Sequence, residues 1–310
     1  MSTAMPGPSD APAGVATMGA MSDETVTRVR LDLAYDGTGF SGWARQPRLR
    51  TVQGVLEEGL AVLFRRTPPA PTLVVAGRTD AGVHAAAQVV HLDLTAEQVR
   101  SLRHVRIGAE SASDAGAAVA YRLNGILGAS TDVVVKRGRI APAGFDARFS
   151  ATARRYEYRV SDRVETRDPA QRHRTVWWPA PLDESAMDAA ARALIGLHDF
   201  AAFCKPRDGA TTIRTLQEFD WHRDAEGVLI ARAVADAFCH SMVRALVGGC
   251  VAVGEGRLAA SDLALILDVG ARTSAFKVMP AKGLTLVAVE YPPDDELAER
   301  AAATRARRVL

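Results

Sequence analysis

The stretch "VAGRTDAGVHA", Val75 to Ala85, places Arg78, Thr79 and Asp80 between Gly77 and Gly82, with apolar residues on either side. Glycine permits backbone angles that other residues avoid, so Arg78 and Asp80 are expected on a loop between strands, where a rigid frame presents them to a ligand. The carboxylate has two readings: it accepts local backbone hydrogen bonds and shapes a turn, or it performs chemistry. Spacing alone leaves both open. Arg244 lies in "HSMVRALVGGCVAV", on the flank of a stripe formed by Met242, Val243, Leu246, Val247, Cys250 and Val251. Helical periodicity fits an exposed arginine and one turned toward a site equally well.

Strands and helices must hold these groups. Val29, Leu31, Leu33 and Tyr35 alternate ahead of an Asp-Gly turn and predict a strand. A helix is expected over Val52 to Phe64, with Val52, Val55, Leu56, Leu60 and Leu63 on one stripe. Strands at Thr72 to Ala76 and Gln88 to Leu94 bracket the Asp80 loop, and a helix from about Val119 to Leu127 and a strand at Asp132 to Lys136 follow. The second half repeats this order. It has a strand at Ala153 to Val160, a helix at Glu184 to Leu197, strands at Thr215 to Trp221 and Val228 to Val234, a helix at His240 to Val253 and a strand at Leu284 to Val289. Two β-α-β-β-α-β units predict an α+β fold of two similar split βαβ (ferredoxin-like) halves, with antiparallel sheets, helices on one face and a central cleft. The expected organisation is a disordered leader over 1–25, with Met21 a candidate start, halves at 26–145 and 146–293, and a charged tail at 294–310.

The chain has 310 residues, 48% hydrophobic and 24% charged, which is globular composition and excludes a fibre. Its net charge of +2 announces no polyanionic partner, but the distribution is uneven. Arg148 to Arg174 holds eight arginines against four acids, and "GWARQPRLR" adds Arg45, Arg48 and Arg50 behind Trp43. Arginine mixed with aromatic residues suits phosphate pairing and base stacking, while a solvated surface is the plainer account. Cys204, Cys239 and Cys250 are odd in number with no C-x-x-C pair, which predicts free thiols rather than a disulfide framework or zinc site. No apolar run reaches the roughly 18 residues of a membrane span, and no signal peptide is recognisable, so a cytoplasmic location is expected. "GAESASDAGAAVA", Gly108 to Ala120, reads as a flexible loop or insertion, and Lys205 to Arg214 as a connection or a closing loop.

"AGRTDAGVHA" strongly resembles the signature of the bacterial tRNA pseudouridine synthase A family. "YDGTGFSGWARQ", "TVQGVLEEGL", "FDARFSATARRYEYRV", "FCHSMVRALVGGCVAVGEG" and "AKGLTLVAVEYP" also resemble family segments, in the family's order, across most of Val29 to Pro292. The resemblance implies a pseudouridine synthase fold and isomerisation of uridine to pseudouridine in the tRNA anticodon stem-loop, without metal or organic cofactor, by a homodimer. It makes Asp80 the catalytic carboxylate and Arg244 its cationic partner, needed because the carboxylate must be ionised and aimed. It sets Tyr156 against the uracil as a stacking platform, Leu284 as an apolar wall, and Arg78 in the space left by the extruded nucleotide. Packing within a strand is the plainer role for Tyr156 and Leu284. Arg45, Arg48, Arg154 and Arg155 are candidates for phosphate contacts.

The segment "LNGILGAST" departs from the family in having Gly128 and Ala129 where a proline is expected, and "GAESASDAGAAVA" is longer than the usual connection. Rival readings are a synthase of altered site choice, a tRNA-binding folding factor without turnover, and a nucleoside hydrolase using Asp80.

Overall fold

Alternating burial organises the first strand: Val29, Leu31, Leu33 and Tyr35 are all buried, their neighbours less so. Each such side chain contributes about 1.5–3 kcal/mol when fully buried. The computed structural model describes residues 26–305 apart from 104, 108, 109, 112, 113, 130, 208 and 210. The expected leader and the end of the charged tail lie outside the described residues.

The elements run β1 (Thr27–Tyr35), α1 (Val52–Leu63), β2 (Val74–Val75), β3 (His84–Leu94), α2 (Ala96–Ser101), β4 (Arg106–Ile107), β5 (Glu110–Ser111), α3 (Ala115–Leu127) and β6 (Val133–Ile140). They continue with β7 (Ala153–Ser161), β8 (Val176–Trp177), α4 (Glu184–Arg192), β9 (Gly196–Asp199), β10 (Ile213–Arg223) and β11 (Leu229–Ala235). The last are α5 (Met242–Gly254), α6 (Ala260–Val269), β12 (Leu284–Glu290) and α7 (Leu297–Arg305). The fold is α+β. Ten strands form one sheet in the order β6-β1-β3-β12-β7-β11-β10-β9, with β2 on β3 and β8 on β7.

Two pairings correct the expectation of purely antiparallel sheets. β3 and β12 run parallel, joined only at Thr285 with His84 and Leu286 with Ala85, and β8 runs parallel to β7. The short β3–β12 seam fuses the strands of the first half to those of the second, and the Asp80 loop lies immediately before it. Most of the apolar core is continuous across this seam, and a small cluster of Ala76, Val89, Phe145, Ala147 and Leu297 is separate from it. The charged tail is helical over Leu297–Arg305, and its Leu297 and Ala301 are buried. No helix of the described residues is long and apolar enough to cross a membrane.

Residues 115–118, expected in a loop ahead of the helix, form the first turn of α3. Asp114 caps the helix, its carboxylate accepting the Ala117 N–H at 2.9 Å. Small residues there serve packing rather than flexibility. A Cβ on Gly116 would sit 2.4 Å from the Arg139 backbone, and one on Gly138 would sit 2.0 Å from the Gly116 carbonyl oxygen. The cysteine expectation also fails: Cys204 and Cys239 are disulfide-bonded, with Cα atoms 5.8 Å apart, and only Cys250 is a free, buried thiol. A separation of 35 residues hid the meeting of two loops, which the Lys205 N–H also joins through the His240 carbonyl at 2.9 Å.

Helix α5 is buried on every residue except Arg244, so it is a core helix and not the amphipathic one its stripe suggested. Gly248 makes this possible, since a Cβ there would meet the Lys277 carbonyl oxygen at 2.0 Å. Gly248→Ala is therefore expected to lose about 1–3 kcal/mol of stability through overpacking. Urea unfolding checks this, and an unshifted midpoint contradicts it.

Candidate active site

The loop that carries Asp80 is fixed residue by residue. The Ala76 N–H donates to the Val89 carbonyl at 2.9 Å, and the Gln88 amide donates to the Gly77 carbonyl at 2.9 Å. The Thr79 hydroxyl lies 2.8 Å from the Tyr35 hydroxyl, and the Thr79 carbonyl accepts the Trp43 N–H at 3.0 Å. Gly82 takes the left-handed conformation that the sequence suggested, with φ 78°, whereas Gly77 does not. Gly42 (φ 93°) is the further glycine the loop requires, because a Cβ on it would come within 3.0 Å of the Thr79 carbonyl oxygen and 3.3 Å of the Asp80 carbonyl carbon. The segment "YDGTGFSGWARQ" thus acts as the bed on which the loop lies.

His84 fastens the loop's far end. Its Nδ1 meets the Gly37 N–H at 3.1 Å and Asp36 Oδ1 at 3.2 Å, and Nε2 faces the His173 and Lys282 carbonyls at 2.8 and 3.1 Å.

Asp80 faces the beginning of α5. Arg244 Nη1 lies 3.5 Å from Oδ2, the Ser241 hydroxyl donates to Oδ2 at 3.3 Å, and His240 Nε2 is 3.5 Å from Oδ1. Arg244 is itself aimed: its Nε donates to the Met279 carbonyl at 2.7 Å, and its own carbonyl accepts the Met279 N–H at 3.1 Å. With side-chain exposures of 29% and 21%, Asp80 and Arg244 form a partly desolvated ion pair open to a ligand. Sequence reasoning singled out this pair and missed His240 and Ser241, although both lie in the quoted segment "FCHSMVR". Their signal was adjacency to Arg244.

Tyr156 is buried, with Phe238 edge-on at 5.2 Å between ring centroids. Burial pushes its phenol well above the ordinary range, and Tyr35 and Asp80 add to the shift. Its phenol therefore stays protonated at neutral pH, which favours a platform over a base. Leu284 is buried at the start of β12, opposite Tyr158. Arg78 is exposed on the Asp80 loop and makes no ion pair or side-chain hydrogen bond among the described residues.

Arg45 and Arg48 line a groove of about 650 Å³ formed by residues of the loop ahead of α1 and the helix's first two turns. Arg48 stands in a left-handed conformation with φ 61°. Arg155 is half-buried and pairs with Glu290 at 3.0 Å.

Arg154 corrects the expectation of an RNA contact. It is 7% exposed, and its guanidinium donates to the carbonyls of Asp236 at 2.5 Å, Ala76 at 2.7 Å and Arg148 at 2.8 Å. It ties β7 to the root of the Asp80 loop and has no face left for phosphate. A basic run read as surface had turned one member inward.

Burial likewise raises the phenols of Tyr35, to about 12, and of Tyr158 and Tyr291 further still. A phenol whose folded pKa lies above its unfolded value stabilises fully below pH 10, and that stability is lost as pH rises further, because the unfolded chain releases protons first. With Tyr156, four buried phenols give a cost of about 6 kcal/mol at pH 11. Absorbance at 295 nm should show no phenolate from these four before circular dichroism reports unfolding. Phenolate from them in the folded protein would contradict the burial.

Comparison with known proteins gives this geometry a class. The pattern that defines a family described as tRNA pseudouridine synthase matches residues 190–292, a span that takes in Arg244 and Leu284. A tRNA pseudouridine synthase A of Leifsonia xyli subsp. xyli is 62% identical over 290 residues, covering 94% of this chain and 100% of that protein. Proteins of the same description from Frankia casuarinae and Corynebacterium glutamicum are 53% and 49% identical, covering 93% and 91% of this chain and 98% and 95% of theirs. The chain belongs to the tRNA pseudouridine synthase A family.

Proposed function

We propose that the chain isomerises uridine to pseudouridine in the anticodon stem-loop of tRNA, with Asp80 as its essential carboxylate. The observation that carries this reading is the convergence of Arg244, Ser241 and His240 on Asp80 at the seam of the sheet. The reaction breaks the bond from N1 to C1′, turns the freed uracil and joins C5 to C1′. A carboxylate serves as nucleophile at the base or the sugar, or stabilises positive character at C1′. Each route needs the Asp80 carboxylate aimed at the uridine, and Arg244 and Ser241 hold its Oδ2. Tyr156 stacks on the uracil and Leu284 walls the pocket.

A uridine in a stem must leave the stack, at a cost of a few kcal/mol offset by pocket and phosphate contacts. Arg78 enters the vacated space, and Arg45, Arg48 and Arg155 hold phosphates. The pairing orders β6-β1-β3-β2 and β12-β7-β11-β10 support two split βαβ halves meeting at the site. The family resemblance extends the proposal to a homodimer in which both subunits contact the tRNA.

The test incubates the protein with unmodified tRNA carrying anticodon-arm uridines and maps pseudouridine. Product confined to the anticodon arm is expected. Its absence there, or product only elsewhere, overturns the site choice.

A further inference from the structure

A serine immediately before a helix ordinarily caps it, its hydroxyl oxygen accepting an N–H of the first turn. Ser241 precedes α5 and makes no such bond. Its backbone is left-handed, at φ 63° and ψ 7°. Among the described residues only Arg48 shares a positive φ without being glycine. Left-handed backbone is unfavourable for a residue with a Cβ, and such strain persists where the surroundings over-determine it.

They do so here. The preceding Cys239 is bonded to Cys204, the His240 carbonyl accepts the Lys205 N–H at 2.9 Å, and the Ser241 carbonyl accepts the Ala245 N–H at 3.0 Å. The side chain then points across the seam, where its hydroxyl donates to Asp80 Oδ2 at 3.3 Å, beside Arg244 Nη1 at 3.5 Å on the same oxygen.

We propose that Ser241 is a positioning residue of the isomerisation, its left-handed backbone taking the hydroxyl off the helix terminus and onto the Asp80 carboxylate. This rests on Asp80 being the essential carboxylate. The hydroxyl fixes the orientation of Oδ2 without carrying charge, so Ser241 acts on the turnover step and leaves tRNA affinity to the arginines. A serine selected only for helix stability would cap α5 and would avoid φ 63°.

Ser241→Gly removes the hydroxyl and relieves the strain, while Ser241→Asn keeps an N–H donor on a residue that tolerates the left-handed region. For Ser241→Gly, the unfolding midpoint is expected at or above that of the parent protein, with kcat reduced about 10- to 100-fold and KM for tRNA within about two-fold. Ser241→Asn is expected to recover at least half of that loss on a logarithmic scale. Parent kcat in Ser241→Gly, a loss seen in KM instead of kcat, or an Asn variant no faster than the Gly variant overturns the proposal. Asp80→Asn run alongside separates the two readings. Full activity in that variant sinks the role of Asp80, whereas an inactive Asp80→Asn beside a fully active Ser241→Gly sinks only the role of Ser241.

Discussion

Asp80→Asn is expected to bind tRNA within about two-fold of the parent affinity and to form pseudouridine at least about 1,000-fold more slowly. The substitution keeps the shape of the side chain and an oxygen for the Ser241 hydroxyl, and it removes the charge that faces Arg244. The loop should hold, because its other hydrogen bonds run through Thr79, Ala76, Gly77 and the Asp80 backbone, and asparagine keeps an oxygen for the one bond that reaches the carboxylate. What disappears is the group able to attack the base or sugar or to face a positive C1′, and positioning does not replace it. Single-turnover pseudouridine formation with saturating enzyme reads the step directly, and filter binding reads affinity. Undiminished product from the variant would remove Asp80 from the chemistry. An equal loss in binding would instead assign it to RNA recognition.

The legible parts of the fold were those written in local periodicity. Val29 to Tyr35 alternated and Val52 to Leu63 ran at helical spacing, and each became the predicted element. The Asp80–Arg244 pair was reached through the family resemblance alone, across 164 positions that no local pattern connects. Features set by tertiary contact were not legible. Strands of two to four residues such as β8 and β9 are too short to show a period. The parallel seam rests on two residue pairs.

Burial of a charged residue was the hardest to read. Arg154 and Arg155 are adjacent in sequence, and the two faces of a strand decide their fates: the first is consumed by three carbonyls, the second reaches Glu290 near the surface. Small residues misled in the same way, since Gly116 reads as loop material until its contact with Arg139 is known. The left-handed backbone of Ser241 is fixed by the loops around it, and no serine announces that in advance.

Arg244→Ala is expected to retain tRNA binding while turnover falls by about 100- to 1,000-fold. Arg244 is the one residue of α5 that is not buried, and both ends of its side chain are committed: Nε to the Met279 carbonyl and Nη1 toward Asp80. Truncation leaves the carboxylate without its nearest cation and the Met279 carbonyl without this donor. A stability loss of about 1–3 kcal/mol should therefore accompany the kinetic one.

Arg244→Lys separates these effects. An ammonium restores a positive charge but lacks the planar fork that serves a carbonyl and a carboxylate at once. It should recover less than about a tenth of the parent rate. Kinetics with saturating tRNA and urea unfolding of both variants test this together. Parent-like turnover in Arg244→Ala would make the ion pair a spectator. Full rescue by lysine would show that charge alone, without the fork, is what Asp80 requires from the second half of the chain.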